Sequence, residues 1–357
     1  MNNKILVDLR SLKDMNCGFG QFSYHLGKAI AKNNIAKNLT FMLPKTATDY
    51  FNNVPYELAS KWKRRPAYSF IKYIFPQKKY DLWHSTEQFS KFFPFHNSTP
   101  MILTIHDLNF LREKNKKKIT LYNNRLQRRV DRAAVITTIS NFVATEIKDK
   151  LDLKGKEVRV IYNGLNVSDS PPKKPMFSQV NKDFLFTIGQ VVPKKNFHVL
   201  LDFLEKTPYN LVIAGQNSSS YAQFIKKTIA DNQLNTRVII PGVVDEAEKK
   251  WLYQNCTAFV FPSLTEGFGL PVIEAMHYGK PVFMSNSTSL PEVGGGVGFY
   301  WDNYKPEHML EILEQGLKHY SDKPDFKKDL VSHSKKFSWN SAAQEYLKLY
   351  DEILGGL

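Results

Sequence analysis

Cysteine is nearly absent: Cys17 and Cys256 are the only two in 357 residues. That excludes a disulfide framework and points to a reducing compartment. No stretch approaches the ~18–20 apolar residues that a membrane-spanning helix needs. The opening Met-Asn-Asn-Lys-Ile-Leu-Val-Asp-Leu-Arg holds too short an apolar run for a secretory signal, so the expectation is a cytoplasmic protein. No Asp-x-Asp triplet occurs, which removes one common way of holding a catalytic metal. The dinucleotide fingerprint Gly-x-Gly-x-x-Gly also fails, because Ser23 stands where Gly18-Phe-Gly20 would need its third glycine. Short-period repeats and low-complexity tracts are missing too.

What is abundant is positive charge. Forty-nine Lys and Arg against 34 Asp and Glu leave a net charge of +15. The excess is confined to one half: residues 1–170 carry 29 basic and 14 acidic side chains, whereas 171–357 carry 20 of each. The first half is built for an anionic surface and the second is electrically neutral. Between them lies Ser168-Asp-Ser-Pro-Pro-Lys-Lys-Pro175, a proline-rich linker in which helix and strand both fail. At about 100–200 residues per domain, two domains are expected, 1–170 and 171–338, with a terminal helix over 339–357.

Each half alternates short apolar runs with amphipathic stretches. Strands are expected at 4–9, 39–43, 81–84, 101–105, 134–139 and 158–162, then at 184–188, 210–214, 237–240, 258–261 and 281–284. Helices are expected from Gln21 onward and at 197–206, 219–232, 246–255 and 270–279. Runs without clean two-fold alternation mean strands buried on both faces, hence parallel sheets covered by helices. The fold class is therefore α/β, two doubly wound domains facing across a cleft, with ligands beyond the carboxyl ends of the strands.

The segment from Ala258 to Phe283 carries most of the chemistry. A strand ends at Pro262, and Gly267 and Gly269 let the backbone come close to a ligand. Pro271 suits the first turn of a helix. That helix opening, with its unpaired amides and positive dipole end, suits an anion such as a diphosphate. Glu266 and Glu274 flank it. Phosphate would repel both carboxylates, so each is expected to face sugar or ribose hydroxyls. A blander reading has Glu274 complementing the helix dipole and Glu266 solvated.

Glu266-Gly-Phe-Gly-Leu-Pro-Val-Ile-Glu274, with Pro262-Ser263, Ala275 and Gly279-Lys-Pro-Val282, resembles the retaining GT-B glycosyltransferases of family 4. The likeness extends to Gly189-Gln-Val-Val-Pro-Lys-Lys-Asn196, Pro241-Gly-Val-Val-Asp245, Ser289-Leu-Pro-Glu-Val293 and Phe337-Ser-Trp339. In the first half it includes Cys17-Gly-Phe-Gly-Gln21, Thr104-Ile-His-Asp-Leu108 and Thr138-Ile-Ser140. The resemblance implies two Rossmann-like domains, with the terminal helix crossing back to the first. It implies catalytic roles for Glu266, His106 and Lys195. Donor-binding roles fall to Gly18, Gly20, Gln190, Lys194, Lys195, Val243, Glu266, Gly267, Phe268, Gly269, Leu270 and Glu274. Asp107 and Ser140 are implied on the acceptor side. Gln190 stands where the family often has arginine, and Lys194 stands at an arginine of the family motif, so Lys194 is a candidate for the second phosphate charge.

The implied activity is retaining transfer of a hexose from a nucleotide diphosphate sugar. GDP-mannose is preferred over a UDP-sugar, no metal or other cofactor is expected, and Lys195 supplies the cation. Whether Glu266 attacks covalently or only positions the sugar stays open. The acceptor is a saccharide or a lipid-linked saccharide in surface polysaccharide or lipopolysaccharide assembly. The run 61–80 holds seven basic and no acidic residues among aromatics, and 112–132 holds nine basic residues against Glu113 and Asp131. Both suit an anionic membrane face, with Leu121, Leu126 and Val130 expected to pack on the sheet. A nucleotide-sugar epimerase on the same scaffold is the first alternative. A nucleic-acid-binding protein is the second, and no nucleic acid is expected because no motif of that class occurs.

Overall fold

The structure is a computed structural model and describes residues 3–15, 17–33, 38–51, 53–59, 79–94 and 96–355. Two compact units result: Met1–Gly164 with Ser338–Leu357, and Leu165–Phe337. The proline-rich linker stays with the second unit, where Lys250 Nζ donates to the carbonyls of Ser168 and Ser170.

Among the described residues the first unit is built on seven parallel strands: β1 (Lys4–Asp8), β2 (Asn38–Leu43), β3 (Tyr56–Leu58), β4 (Leu82–Ser85), β5 (Met101–Ile105), β6 (Val135–Thr138) and β7 (Val158–Val160). Their order is β3-β2-β1-β4-β5-β6-β7. Helices α1 (Gly18–Asn33), α2 (Lys116–Arg132) and α3 (Asn141–Lys150) cross between strands. The second unit has six parallel strands: β8 (Phe184–Ile188), β9 (Asn210–Ala214), β10 (Val238–Gly242), β11 (Ala258–Phe261), β12 (Val282–Ser285) and β13 (Phe299–Trp301). Here the order is β10-β9-β8-β11-β12-β13. Its helices are α4 (Val199–Glu205), α5 (Ser220–Asp231), α6 (Glu246–Asn255), α7 (Leu270–His277), α8 (Leu290–Gly294), α9 (Pro306–Asp322) and α10 (Phe326–Ser334). Strand order reverses beside β1/β4 and beside β8/β11, and the carboxyl ends of those pairs are where doubly wound sheets bind ligands.

The last helix, α11 (Trp339–Gly355), belongs to the first unit. Trp339 stacks on His25 and meets the edge of Phe22. Gly164 lies so close that a Cβ there would stand 2.0 Å from the Trp339 amide nitrogen. Inside, Tyr350 Oη lies 2.7 Å from His84 Nδ1, and His84 Nε2 lies 2.8 Å from Thr104 Oγ1. Thr104 in turn meets Thr137 at 2.8 Å, so a buried polar chain joins α11 to β4, β5 and β6. Burial lowers the His84 pKa to about 3, so the ring is neutral.

Several expectations are corrected. The edge strands β3 and β13 lie outside the expected set; each is three residues long, too short to leave an apolar run. The first helix starts at Gly18, not Gln21. Leu121 does not pack on the sheet: it is 49% exposed, while Leu126 and Val130 are fully buried. Ile119, Tyr122, Leu126 and Val130 follow the helical repeat, and Leu121 is one residue, about 100°, out of phase with them. Of the run 61–80, only Lys79 and Tyr80 lie within the described residues. Tyr80 is buried and its hydroxyl donates to Glu57 at 2.7 Å, so that ring is core and not surface.

Candidate active site

In the second unit the loops after β8 and β11 meet at the switch point. The β8 loop leaves through Gly189, at φ +154°, where a Cβ would stand 3.1 Å from Lys195 Cε. Lys195 folds back into this space, and its Nζ meets Glu266 Oε1 at 2.5 Å. Ser263 donates to the same oxygen at 2.6 Å, and the ammonium also lies 4.8 Å from the Phe261 ring centre. The two loops are tied through the Lys194 carbonyl, which accepts from Leu264 N at 2.8 Å and lies 3.2 Å from Ser263 Oγ. Lys195 and Glu266 are only 12% and 14% exposed. Burial alone would push the Glu266 carboxyl up; the Lys195 ammonium, the Ser263 hydroxyl and the Lys194 charge outweigh it and hold the pKa below the usual carboxylate range.

Gly269 (φ +117°, ψ 47°) turns the chain into α7. Pro271 has no amide hydrogen and Val272 N donates back to the Gly269 carbonyl at 3.0 Å, so the amides on offer narrow towards Leu270. Glu274 sits one turn further on, buried. Tyr253 donates to its Oε2 at 2.9 Å, and Lys249 Nζ lies 4.0 Å from Oε1. Burial raises this carboxyl's pKa, while Lys249 and bonds from Tyr253 and Asn166 pull the other way. The two glutamates therefore sit in opposite electrostatic settings, one charge-compensated and one desolvated. A helix opening, a buried ammonium and two glutamates form a place where a diphosphate gains cationic and amide contacts while neutral hydroxyls meet carboxylates.

The other sequence-derived residues of this unit lie around the same strand ends. Gln190 Nε2 is 3.5 Å from Gln216 Oε1. Val243, after β10, is 60% exposed. Gly267 and Phe268 lie in the β11 loop, but the Phe268 ring is buried edge-on against Phe337, so it offers a ligand backbone only.

In the first unit His106 follows β5 and is 5% exposed. Its Nε2 donates to the Thr86 carbonyl at 2.7 Å, and its backbone amide donates to Gln88 at 3.2 Å. The rings of Phe19 and Phe22 meet it edge-on. Burial takes its pKa down to about 4, so it is a neutral imidazole with the proton on Nε2. Asp107 Oδ1 accepts from Asn109 N at 2.9 Å. Ser140 is buried and its hydroxyl caps α3, accepting from Val143 N at 3.2 Å. A Cβ on Gly18 would meet nothing, whereas one on Gly20 would overlap the Asp14 carbonyl at 1.9 Å. Gly20 is thus required by packing of the α1 start and is not part of an open loop.

Sequence reasoning missed the group beside β1 and β4. Arg10 pairs with Glu87 at 2.7 Å and with Asp8 at 3.4 Å, and Ser90 donates to Asp8 at 2.6 Å. It also missed Tyr253, Lys249 and Thr288. Thr288 is held at φ +57° and accepts from the Glu266 amide at 3.0 Å. Left-handed backbone at a β-branched residue costs on the order of 1–3 kcal/mol. The position of Asp8 at the end of β1 and of Glu87 just beyond β4 was the available signal for the first group; nothing local marks the others.

A two-unit α/β fold with a buried lysine–glutamate pair at a helix opening does not by itself fix an activity; comparison with known proteins gives the class. The family model for glycosyltransferase family 4 matches residues 27–169, and that for glycosyl transferases group 1 matches residues 172–335. The chain belongs to this family and is a glycosyltransferase. The O-antigen chain mannosyltransferase RfbU of Salmonella typhimurium is 26% identical over 299 residues, covering 77% of this chain and 81% of the relative. The serotype-specific mannosyltransferase WbdA of Escherichia coli is 27% identical over 252 residues, covering 65% of this chain but 30% of that protein, so the chain spans less than a third of its length. HepE of Anabaena, crystallised with UDP and glucose, superposes with a TM-score of 0.68 at 16% identity, covering 98% of this chain and 99% of that one. The fold is accordingly GT-B.

The ion pair makes a pH-dependent prediction. With its pKa depressed, Glu266 contributes stability that is present above the unfolded carboxylate pKa and lost as pH falls through the folded value. Lys195→Met strands a buried carboxylate, at a cost of about 3–5 kcal/mol at pH 7. Without the ammonium, burial raises the carboxyl's pKa and protonation relieves the cost, so the gap in Tm between variant and parent should narrow as pH falls from about 7 into the carboxylate range. A gap independent of pH in thermal unfolding would contradict the pairing.

Proposed function

We propose that the protein is a retaining, metal-independent hexosyltransferase that moves mannose from GDP-mannose, or a related sugar from a UDP-sugar, to a saccharide or lipid-linked saccharide in surface polysaccharide assembly. The Lys195–Glu266 pair beside the α7 opening carries the reading. The diphosphate sits against Lys195, with Lys194 nearby, and against the amides at Gly269 and Leu270. These donors stabilise the charge that grows on the leaving oxygen as the anomeric C–O bond breaks. Glu274 holds ribose hydroxyls and Glu266 holds hydroxyls of the sugar. On the retaining, front-face course the departing phosphate oxygen takes the acceptor's proton, and no separate base is needed. His106, being neutral, would serve as a hydrogen-bonding group to the sugar and not as a charge. Mannose is favoured by the names of the relatives RfbU and WbdA, and retention by the family resemblance.

A lipid-linked acceptor requires the enzyme to reach a membrane from outside. Among the described residues, no helix is long and apolar enough to cross one. On α2, Lys117, Arg125 and Arg128 are exposed around the 49%-exposed Leu121. Cations around one apolar side chain suit an anionic headgroup layer, which supports a peripheral position on the cytoplasmic face of the membrane.

Two experiments test this. Thermal unfolding with GDP, UDP, ADP and dTDP should show a rise for the matching nucleotide, by mass action. Glu274→Ala should weaken that nucleotide by about tenfold or more. Glu266→Ala should keep the nucleotide but lose on the order of 100-fold in release of GDP from GDP-mannose, and excess EDTA should leave the parent's rate unchanged. Normal turnover in both variants, abolition by EDTA, or quantitative isomerisation of the sugar without acceptor would overturn the assignment. Separately, the protein should pellet with phosphatidylglycerol vesicles and not with phosphatidylcholine alone, and Arg125→Ala or Arg128→Ala should each weaken this about fivefold, at ~1 kcal/mol per charge. Equal pelleting with both vesicles would end the membrane proposal.

A further inference from the structure

The loop that carries Glu266 is held from one side by hydroxyls of the next strand and its following turn. Ser285, the last residue of β12, donates to the Ser263 carbonyl. Thr288 accepts from the Glu266 amide at 3.0 Å. The single Ser289 hydroxyl hydrogen is shared between the Phe268 carbonyl at 2.8 Å and the Glu266 carbonyl at 3.0 Å. Both polar ends of the Glu266 residue are thus tied by consecutive side chains of the 286–289 turn. The carboxylate is tied in turn by Ser263 and Lys195.

The chain presents two consecutive hydroxyls to one residue through a left-handed step at position 288, taken by a β-branched residue at φ +57°. Glycine or asparagine would enter that backbone region more easily. Glycine has no side-chain acceptor, and asparagine's reaches further from the backbone. Strain kept beside a functional carboxylate, with the strained side chain bonded to that carboxylate's own main chain, has a direct physical purpose: it fixes the direction in which the side chain leaves the loop.

We propose that Thr288 and Ser289 are positioning residues for the transfer step, clamping the Glu266 main chain so that its carboxylate meets the sugar in one orientation. This rests on the reading that Glu266 contacts the transferred sugar. Nucleotide affinity, carried by Lys195 and Glu274, does not depend on the clamp; turnover does.

The test uses the full chain with GDP or UDP for affinity by calorimetry, and GDP-mannose or UDP-glucose for turnover. Thr288→Val should leave nucleotide affinity within about twofold and lower kcat about tenfold or more, because a misaimed group costs steeply in rate. Thr288→Ser, which keeps the hydroxyl, should restore kcat. Thr288→Gly adopts the same backbone without strain, so it tests the hydroxyl even where the valine variant does not fold; it should show the same loss of kcat. Ser289→Ala should lower kcat in the same direction. Normal kcat in folded Thr288→Gly, or equal losses of affinity and kcat, would overturn the clamp. Glu266→Gln separates the two layers. If it turns over normally, the reading of Glu266 itself fails; if it is inactive while Thr288→Gly is normal, only the clamp fails.

Discussion

Lys195 Nζ and Glu266 Oε1 lie 2.5 Å apart, each nearly shielded from water, and the ammonium holds the Glu266 carboxyl below the usual carboxylate range despite its burial. Around that pair the geometry of the second unit is ordered. Gly189 leaves room for the lysine, Phe261 lies under its ammonium, and Ser263 adds a second donor to the carboxylate. An ion pair buried this way is a poor source of net stability, since desolvation offsets most of the attraction. In the function we propose, its worth is as a preorganised cation and a preorganised acceptor where strand order reverses: a diphosphate shares the lysine, and that frees the glutamate for neutral hydroxyls.

Glu274 meets the same constraint in another way. It is buried under Tyr253, Lys249 stands off at 4.0 Å, and burial raises its pKa. A carboxylate in that state gains from hydroxyl donors, which a ribose supplies. In the first unit the buried His106 is uncharged, packed between aromatic rings and fixed by the Thr86 carbonyl. The Asp8–Arg10–Glu87 group sets one guanidinium between two carboxylates at the end of β1. The terminal helix α11 completes that unit through Tyr350 and His84, so a segment distant in the chain closes the first sheet.

Much of this is legible in the amino-acid sequence. Short apolar runs mark the buried parallel strands, and the spacing from Glu266 to Glu274 carries the site because loop and helix are contiguous there. What stays hidden is set by contacts across the fold. Thr288 and Glu266 are 22 residues apart, and Tyr253 and Glu274 are 21 apart, so no local pattern links them. Leu121 is misplaced by pattern alone because a helix rotates about 100° per residue, and a single step moves a side chain from core to surface. Gly20 reads as a ligand-facing glycine, whereas the Asp14 carbonyl explains it. The edge strands β3 and β13, three residues each, are fixed by pairing with β2 and β12.

The most direct measurement is a crystal structure of the protein with GDP or UDP, whichever binds. The diphosphate should lie against Lys195 Nζ and the opening of α7, with the ribose on Glu274 and Glu266 turned towards the open side of the phosphate. A nucleotide seated elsewhere, with the Lys195–Glu266 pair undisturbed and Glu274 untouched, would contradict the account.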